Sequence, residues 1–210
     1  MKITYQILLF TASLATLTAC ASDDDAPVVL PVQAQTVNNL PADPTTPSST
    51  TGQPPLSTGK FTLYNLRDNK TVANTDSATN RWDVGFRGTT VIINGGAVRS
   101  GQGGAYVHTG TFEELTAIPA TATFAQDQSA TSLAIPTGSG LGWYNYNSTN
   151  NIITPVPGRV LVIRTGDGKY AKLEILSYYE NAPATPGATS RSRFYTFRYV
   201  YQPDGSTKLN

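Results

Sequence analysis

The sequence predicts an all-β fold, a single antiparallel β domain with a C-terminal meander, and three observations carry that prediction. From Gly59 onward, β-branched and aromatic residues alternate with polar ones at the two-residue period of a half-buried strand. Two apolar runs, Val160-Leu161-Val162-Ile163-Arg164 and Ala171-Lys172-Leu173-Glu174-Ile175, flank Gly166-Asp167-Gly168-Lys169, and Asp-Gly between such runs is a strong hairpin signal. No long stretch carries helical spacing with caps; Phe112-Glu113-Glu114-Leu115 reads as a short turn or a one-turn helix.

Taken in order, residues 1–19 read as a secretory signal: Lys2 gives a positive start, Ile7 to Leu17 is apolar apart from Thr and Ser, and small residues follow. The stretch is shorter than the roughly 20 apolar residues that a membrane-spanning helix needs. Leu17-Thr18-Ala19-Cys20 resembles the lipobox of bacterial lipoproteins, which makes Cys20, the only cysteine, the acylated first residue of the mature chain. Residues 20–58 then read as a tether, rich in Pro, Thr, Ser and Gln and without an aromatic residue. Such a composition buries too little apolar surface to order itself. As a flexible coil it spans about 30–35 Å. Asp23-Asp24-Asp25 behind the cysteine reads either as a solvated charge run or as something resembling the acidic signal that sends some lipoproteins to the outer surface.

Residues 59–210 form the predicted β domain. Trp82, Val84 and Phe86 fall on one strand face, with Asp83, Gly85 and Arg87 on the other. After the Asp-Gly hairpin, a third strand from Phe194 to Tyr201 puts Tyr195, Phe197, Tyr199 and Tyr201 on one face, which completes an antiparallel meander. Without a second cysteine there is no intramolecular disulfide, so the domain rests on its apolar core. Of 15 Lys and Arg residues, Lys2 leaves with the signal, so 14 basic residues face 14 acidic ones. No basic block is present, which argues against a nucleic-acid partner.

Catalytic patterns are scarce, and the chain reads as a non-enzyme. His108 is the only histidine, no Gly-x-Ser-x-Gly elbow presents a serine, and the single thiol is acylated. Gly101-Gln102-Gly103-Gly104 leads into the extended Ala105-Tyr106-Val107 and so reads as a loop or bulge, not as a phosphate-binding turn. A zinc site would need several His or Cys ligands. Glu113 and Glu114, the only adjacent glutamates, read as a solvated surface pair.

Four segments together resemble the HmuY family of haem-binding surface lipoproteins: Arg81-Trp82-Asp83-Val84-Gly85-Phe86-Arg87, Gly101-Gln102-Gly103-Gly104-Ala105, Gly158 to Lys172, and Tyr195-Thr196-Phe197-Arg198-Tyr199. The resemblance implies an all-β domain that takes haem or a related tetrapyrrole and passes it to a TonB-dependent outer-membrane receptor. It further implies a lipid-anchored outer-membrane protein facing the cell exterior and active in iron acquisition. The sequence departs from the family where its characterised members hold haem iron between paired histidines or methionines. Trp143 to Arg159 contains neither residue type, and the segment from Phe112 to Trp143 is short for the second ligand loop.

Haem iron is held in proteins by His, Met, Cys or Tyr. The only Met leaves with the signal and Cys20 is acylated, so His108 and ten of the 11 tyrosines remain once Tyr5 is removed. Bis-His and bis-Met ligation within one chain are excluded, and ligation is expected to be atypical or absent. His108, at the end of an extended segment, reads as a lone ligand, a partner to a tyrosine, or a surface histidine without one. Tyr144 and Tyr146 share a face after Trp143 and read as a stacking pair, as phenolate ligands, or as core. Arg159, Arg164 and Arg198 are candidates for pairing with propionates. Asp76-Ser77-Ala78 resembles a three-residue O-glycosylation motif of surface bacteria, with Ser77 as the acceptor. Replacing the thiol, Cys20→Ser, is expected to abolish acylation and to release the protein from the membrane fraction. Metabolic labelling with a fatty-acid analogue checks this, and retained label in the variant would overturn the lipobox reading.

Overall fold

The computed structural model describes residues 32, 34–46 and 56–210; the signal segment, Cys20 and Asp23-Asp24-Asp25 lie outside the described residues. The strands are β1 (Ala34–Pro41), β2 (Thr62–Asn65), β3 (Lys70–Val72), β4 (Val84–Arg87), β5 (Thr90–Ile93), β6 (Gly104–Thr109), β7 (Tyr144–Asn147), β8 (Ile152–Pro155), β9 (Arg159–Arg164), β10 (Tyr170–Tyr179) and β11 (Ser192–Gln202). The helical content of the described residues is a single 3₁₀ turn, Asn74–Asp76. Phe112-Glu113-Glu114-Leu115 forms a turn.

Five strands make one antiparallel sheet in the order β1-β11-β10-β9-β6, four make a second in the order β3-β2-β4-β5, and β7 and β8 form a separate hairpin. The meander β9-β10-β11 is the one the sequence predicts, with Leu161 opposite Leu173 and Leu173 opposite Tyr199. Its turn closes by hydrogen bonds from Thr165 N to Lys169 O and from Gly168 N to Thr165 O, with Gly168 at φ +83°. That backbone geometry favours glycine.

The main core lies between the two larger sheets, where the C-terminal aromatic face meets the apolar face of the four-stranded sheet. Phe86 stacks on Phe197 with ring centroids 5.4 Å apart, and Tyr64 meets Phe197 edge-on at 5.7 Å. The opposite face of the five-stranded sheet carries a second cluster, in which Val160, Val162 and Val200 are covered by Phe112, Leu115, Ile118 and Leu209. Lys172 is buried there, its Nζ donating to Phe112 O at 2.7 Å and Leu115 O at 2.9 Å, which fastens the 112–115 turn to the sheet.

Two expectations need correction. The stretch read as tether contains β1, which pairs with β11 and buries Leu40, and Ala42 just beyond the strand is buried as well. Composition gave no sign of this because the order comes from the long edge that β11 offers, a partner far away in sequence. Trp82 precedes β4 and packs in a third cluster with Leu63 and Ile92, apart from Val84 and Phe86. Asp83, expected on a polar face, is 3 % exposed.

The Asp83 carboxylate accepts hydrogen bonds from Leu66 N at 2.7 Å and Gly166 N at 2.9 Å, joining the end of β2 to the β9-β10 turn. Asn94, fully buried, donates from Nδ2 to Thr79 O and Trp82 O and accepts at Oδ1 from Gly101 N. Backbones crowd around this pair: a Cβ on Gly95 would lie 1.9 Å from Gly103 O, and one on Gly166 would lie 2.5 Å from Trp82 O. Gly95→Ala is therefore expected to destabilise the domain by about 3 kcal/mol or more, because backbone itself has to move. A thermal melt checks this, and a midpoint within roughly 2 °C of wild type would contradict it.

Burial pushes the Asp83 carboxyl up to about 6, against the pull of its two amide donors, and burial also raises Asp127. With the folded value above the unfolded one, these groups stabilise the fold most at low pH, and that contribution is lost as pH rises through the folded value. For Asp83 the span from 3.8 to about 6 corresponds to roughly 3 kcal/mol. The melting temperature is expected to rise on going from pH 7.5 to pH 5, and Asp83→Asn is expected to flatten that rise. A wild-type midpoint that falls steadily over the same interval would sink the assignment.

Candidate functional site

The chemically distinctive residues sort onto different faces. His108 sits on β6 opposite Val160, a member of the second cluster, while its neighbour Val107 packs on the main core. The imidazole is half-buried and lies against Gly110, where a Cβ would stand 2.7 Å from Nε2. The tyrosine sharing its strand face is Tyr106, two residues away, whose buried hydroxyl has no partner. Tyr144 and Tyr146 belong to the β7-β8 hairpin. Tyr144 packs on the main core beside Trp143, at 5.0 Å between rings, and its hydroxyl accepts from Gly138 N. Tyr146 is exposed and donates to Asn151 Oδ1. His108 and the tyrosine pair thus lie on opposite sides of the five-stranded sheet. Among the described residues no group of three His, Cys, Asp or Glu side chains is placed to hold a metal ion.

The arginines expected to meet propionates have other partners. Arg198 pairs with Glu174 and Glu113 and lies 4.3 Å over the Phe112 ring. Arg159 donates to Thr109 Oγ1, and Arg164 to Gln102 O. Ser77 is exposed just after the 3₁₀ turn, its carbonyl accepting from Trp82 Nε1. Glu113 and Glu114 are exposed, and each is held below the usual carboxylate range, the first chiefly by the Arg198 guanidinium and the second by the Thr111 hydroxyl.

Sequence reasoning missed a cleft of ≈ 480 Å³ lined by Arg87, Thr90, Ile153, Tyr178 and Arg193 among others. The β4-β5 turn forms one wall, and Ile153 of β8 with Tyr178 of β10 forms another. Trp143 lies 5.8 Å from Tyr178 and 5.0 Å from Tyr144, so an aromatic run leads from the hairpin to the cleft. Burial raises the Tyr178 phenol to about 12, with the nearby Arg193 guanidinium pulling the other way, so it stays protonated at neutral pH. The acid at the rim, Asp43, accepts from Thr58 N and Oγ1, both at 2.7 Å, and from Gly59 N at 2.9 Å. Those bonds outweigh its burial and lower its proton affinity.

The family model for the HmuY protein matches residues 57–192. The chain belongs to the HmuY family. Its fold matches the apo HmuY analogue of Tannerella forsythia with a TM-score of 0.50 at 13% identity, over 82% of this chain and 96% of that one. A candidate HmuY-like haem-binding protein from Bacteroides vulgatus aligns with a TM-score of 0.45 and 21% identity, over 68% of this chain and 85% of that one. A candidate lipoprotein from Bacteroides fragilis aligns with a TM-score of 0.46 and 18% identity, over 68% and 82% respectively. Among curated proteins none matches this sequence. The HmuY match spans β2 to β10, so it contains the cleft walls contributed by Arg87, Ile153 and Tyr178 and ends one residue before Arg193.

Proposed function

We propose that this HmuY-family chain is a tethered lipoprotein of the outer membrane that binds haem or a related tetrapyrrole as cargo and hands it to a TonB-dependent receptor. The observation that carries the reading is the family match over residues 57–192. On this reading the cargo is held without a pair of axial side chains; the placement of His108 across the sheet from Tyr144 supports this, since it argues against those two sharing an iron. Capture rests instead on aromatic and apolar contact, with at most one protein ligand to iron. His108, half-buried with its imidazole against Gly110, is the first candidate for that ligand, and exposed Tyr146 is the second. Cys20 supplies the anchor, and residues ahead of β1 supply the spacer.

A second reading, a binding module for another ligand on the same scaffold, draws support from the same dispersal of the candidate ligands. Haemin titration of the purified protein separates the two. The haem reading expects a saturable Soret band with one-to-one stoichiometry, shifted by His108→Ala or Tyr146→Phe if either ligates iron and unshifted if neither does. Uptake no tighter than nonspecific adsorption to an unrelated β protein would remove haem as the cargo.

A further inference from the structure

Arg87 and Arg193 line one cleft, and among the described residues neither pairs with a carboxylate. Each uses its Nη1 on a backbone carbonyl at 2.9 Å, Arg87 on Gly59 O and Arg193 on Asp43 O. A guanidinium carries five N–H donors, so most of the donors on both remain available. The cleft's own acid is spent on Thr58 and Gly59, and residues 44–67 contain no Asp or Glu at all. By contrast Arg67, Lys70, Arg81, Arg191 and Arg198 all sit beside carboxylates.

We propose that the cleft between Arg87 and Arg193 is a recognition site for a carboxylate carried on a ligand with an apolar body. The planar fork of an arginine matches a carboxylate with two parallel hydrogen bonds. The Ile153 and Tyr178 wall supplies apolar surface beside the charges, which favours an organic acid over inorganic phosphate. Arg193 holds φ at +68°, a conformation that side-chain-bearing residues rarely adopt. Such geometry persists where surroundings fix it, and it tends to collect at ligand-holding positions. Arg87 is oriented by packing 4.3 Å over the Phe61 ring.

The site stands beside the haem reading and needs no iron, but a tetrapyrrole propionate and a free aromatic acid share the chemistry it recognises. The test titrates the detergent-solubilised full-length protein with metal-free protoporphyrin IX, with its dimethyl ester, and with 2-naphthoate, following tryptophan fluorescence. The diacid porphyrin is expected to bind at least tenfold more tightly than the ester. Arg87→Gln, at an exposed position, is expected to lose about tenfold for the diacid and none for the ester, with partial recovery in Arg87→Lys. Arg193→Gln serves as a second variant, with a melting curve on each to confirm folding. Should porphyrin fail while 2-naphthoate binds with the same dependence on Arg87, the carboxylate site holds and the tetrapyrrole reading falls. Unchanged affinity of Arg87→Gln for both acids, or no binding of either acid to wild type, overturns the proposal.

Discussion

The rest of the structure depends on a buried polar junction. Asp83 and Asn94 receive or donate hydrogen bonds at Leu66, Gly166, Thr79, Trp82 and Gly101, so four separate stretches of chain are referred to two side chains. Gly103 N reaches Asn94 O and Gln102 N reaches Gly166 O, which ties the entry to β6 and the β9-β10 turn into the same knot. Burying a carboxylate opposes folding, and two amide donors offset only part of the cost, as the raised proton affinity of Asp83 records. What the junction contributes is alignment. Contacts such as Phe86 on Phe197 tolerate sliding, whereas directed hydrogen bonds between one sheet and the turn of the other do not.

How far this was legible in the sequence follows from the range of the interactions. The β9-β10-β11 meander is local: two-residue alternation and an Asp-Gly turn specify it, and the aromatic face it presents is the core face observed. The role of β1 was hidden because its residues resemble linker by composition and gain order only from β11, near the other end of the chain. Asp83 was placed on the polar face because alternation was extended two residues too far back, through Trp82, before β4 begins at Val84. The glycines at 101, 103 and 166 read as loop and turn residues, although at each of them, as at Gly95, a side chain would strike a neighbouring backbone.

The candidate site was legible by residue type and not by place. His108, Tyr144 and Tyr146 stood out because a chain without usable Met or Cys offers few other iron ligands, but strand faces decide which side chains can meet. The face of Tyr106 and His108 looks toward the second cluster, while the β7-β8 hairpin packs on the main core. Arg87 and Arg193 had no such mark. One ends β4 and the other lies near the start of β11, and what brings them together is a cleft whose one acid, Asp43, is engaged by Thr58 and Gly59, a property that sequence shows only once the fold says which residues are neighbours.

A carrier has to surrender its cargo as well as hold it, and the two modes of capture differ in this respect. Axial bonds to iron from a fixed pair of side chains persist until a bond breaks. Hydrogen bonds of the kind proposed for Arg87, which is exposed, and half-buried Arg193 at an open cleft would be weakened by water and salt and could be exchanged one at a time. Trp143 and Tyr178 are buried and back the cleft wall from within the core, so any apolar contact with cargo there would carry no directional bonds that must be broken together. If the proposed site between Arg87 and Arg193 holds a cargo carboxylate, selectivity would rest on the acid groups of the cargo and not on its metal, an arrangement suited to loose capture and ready transfer.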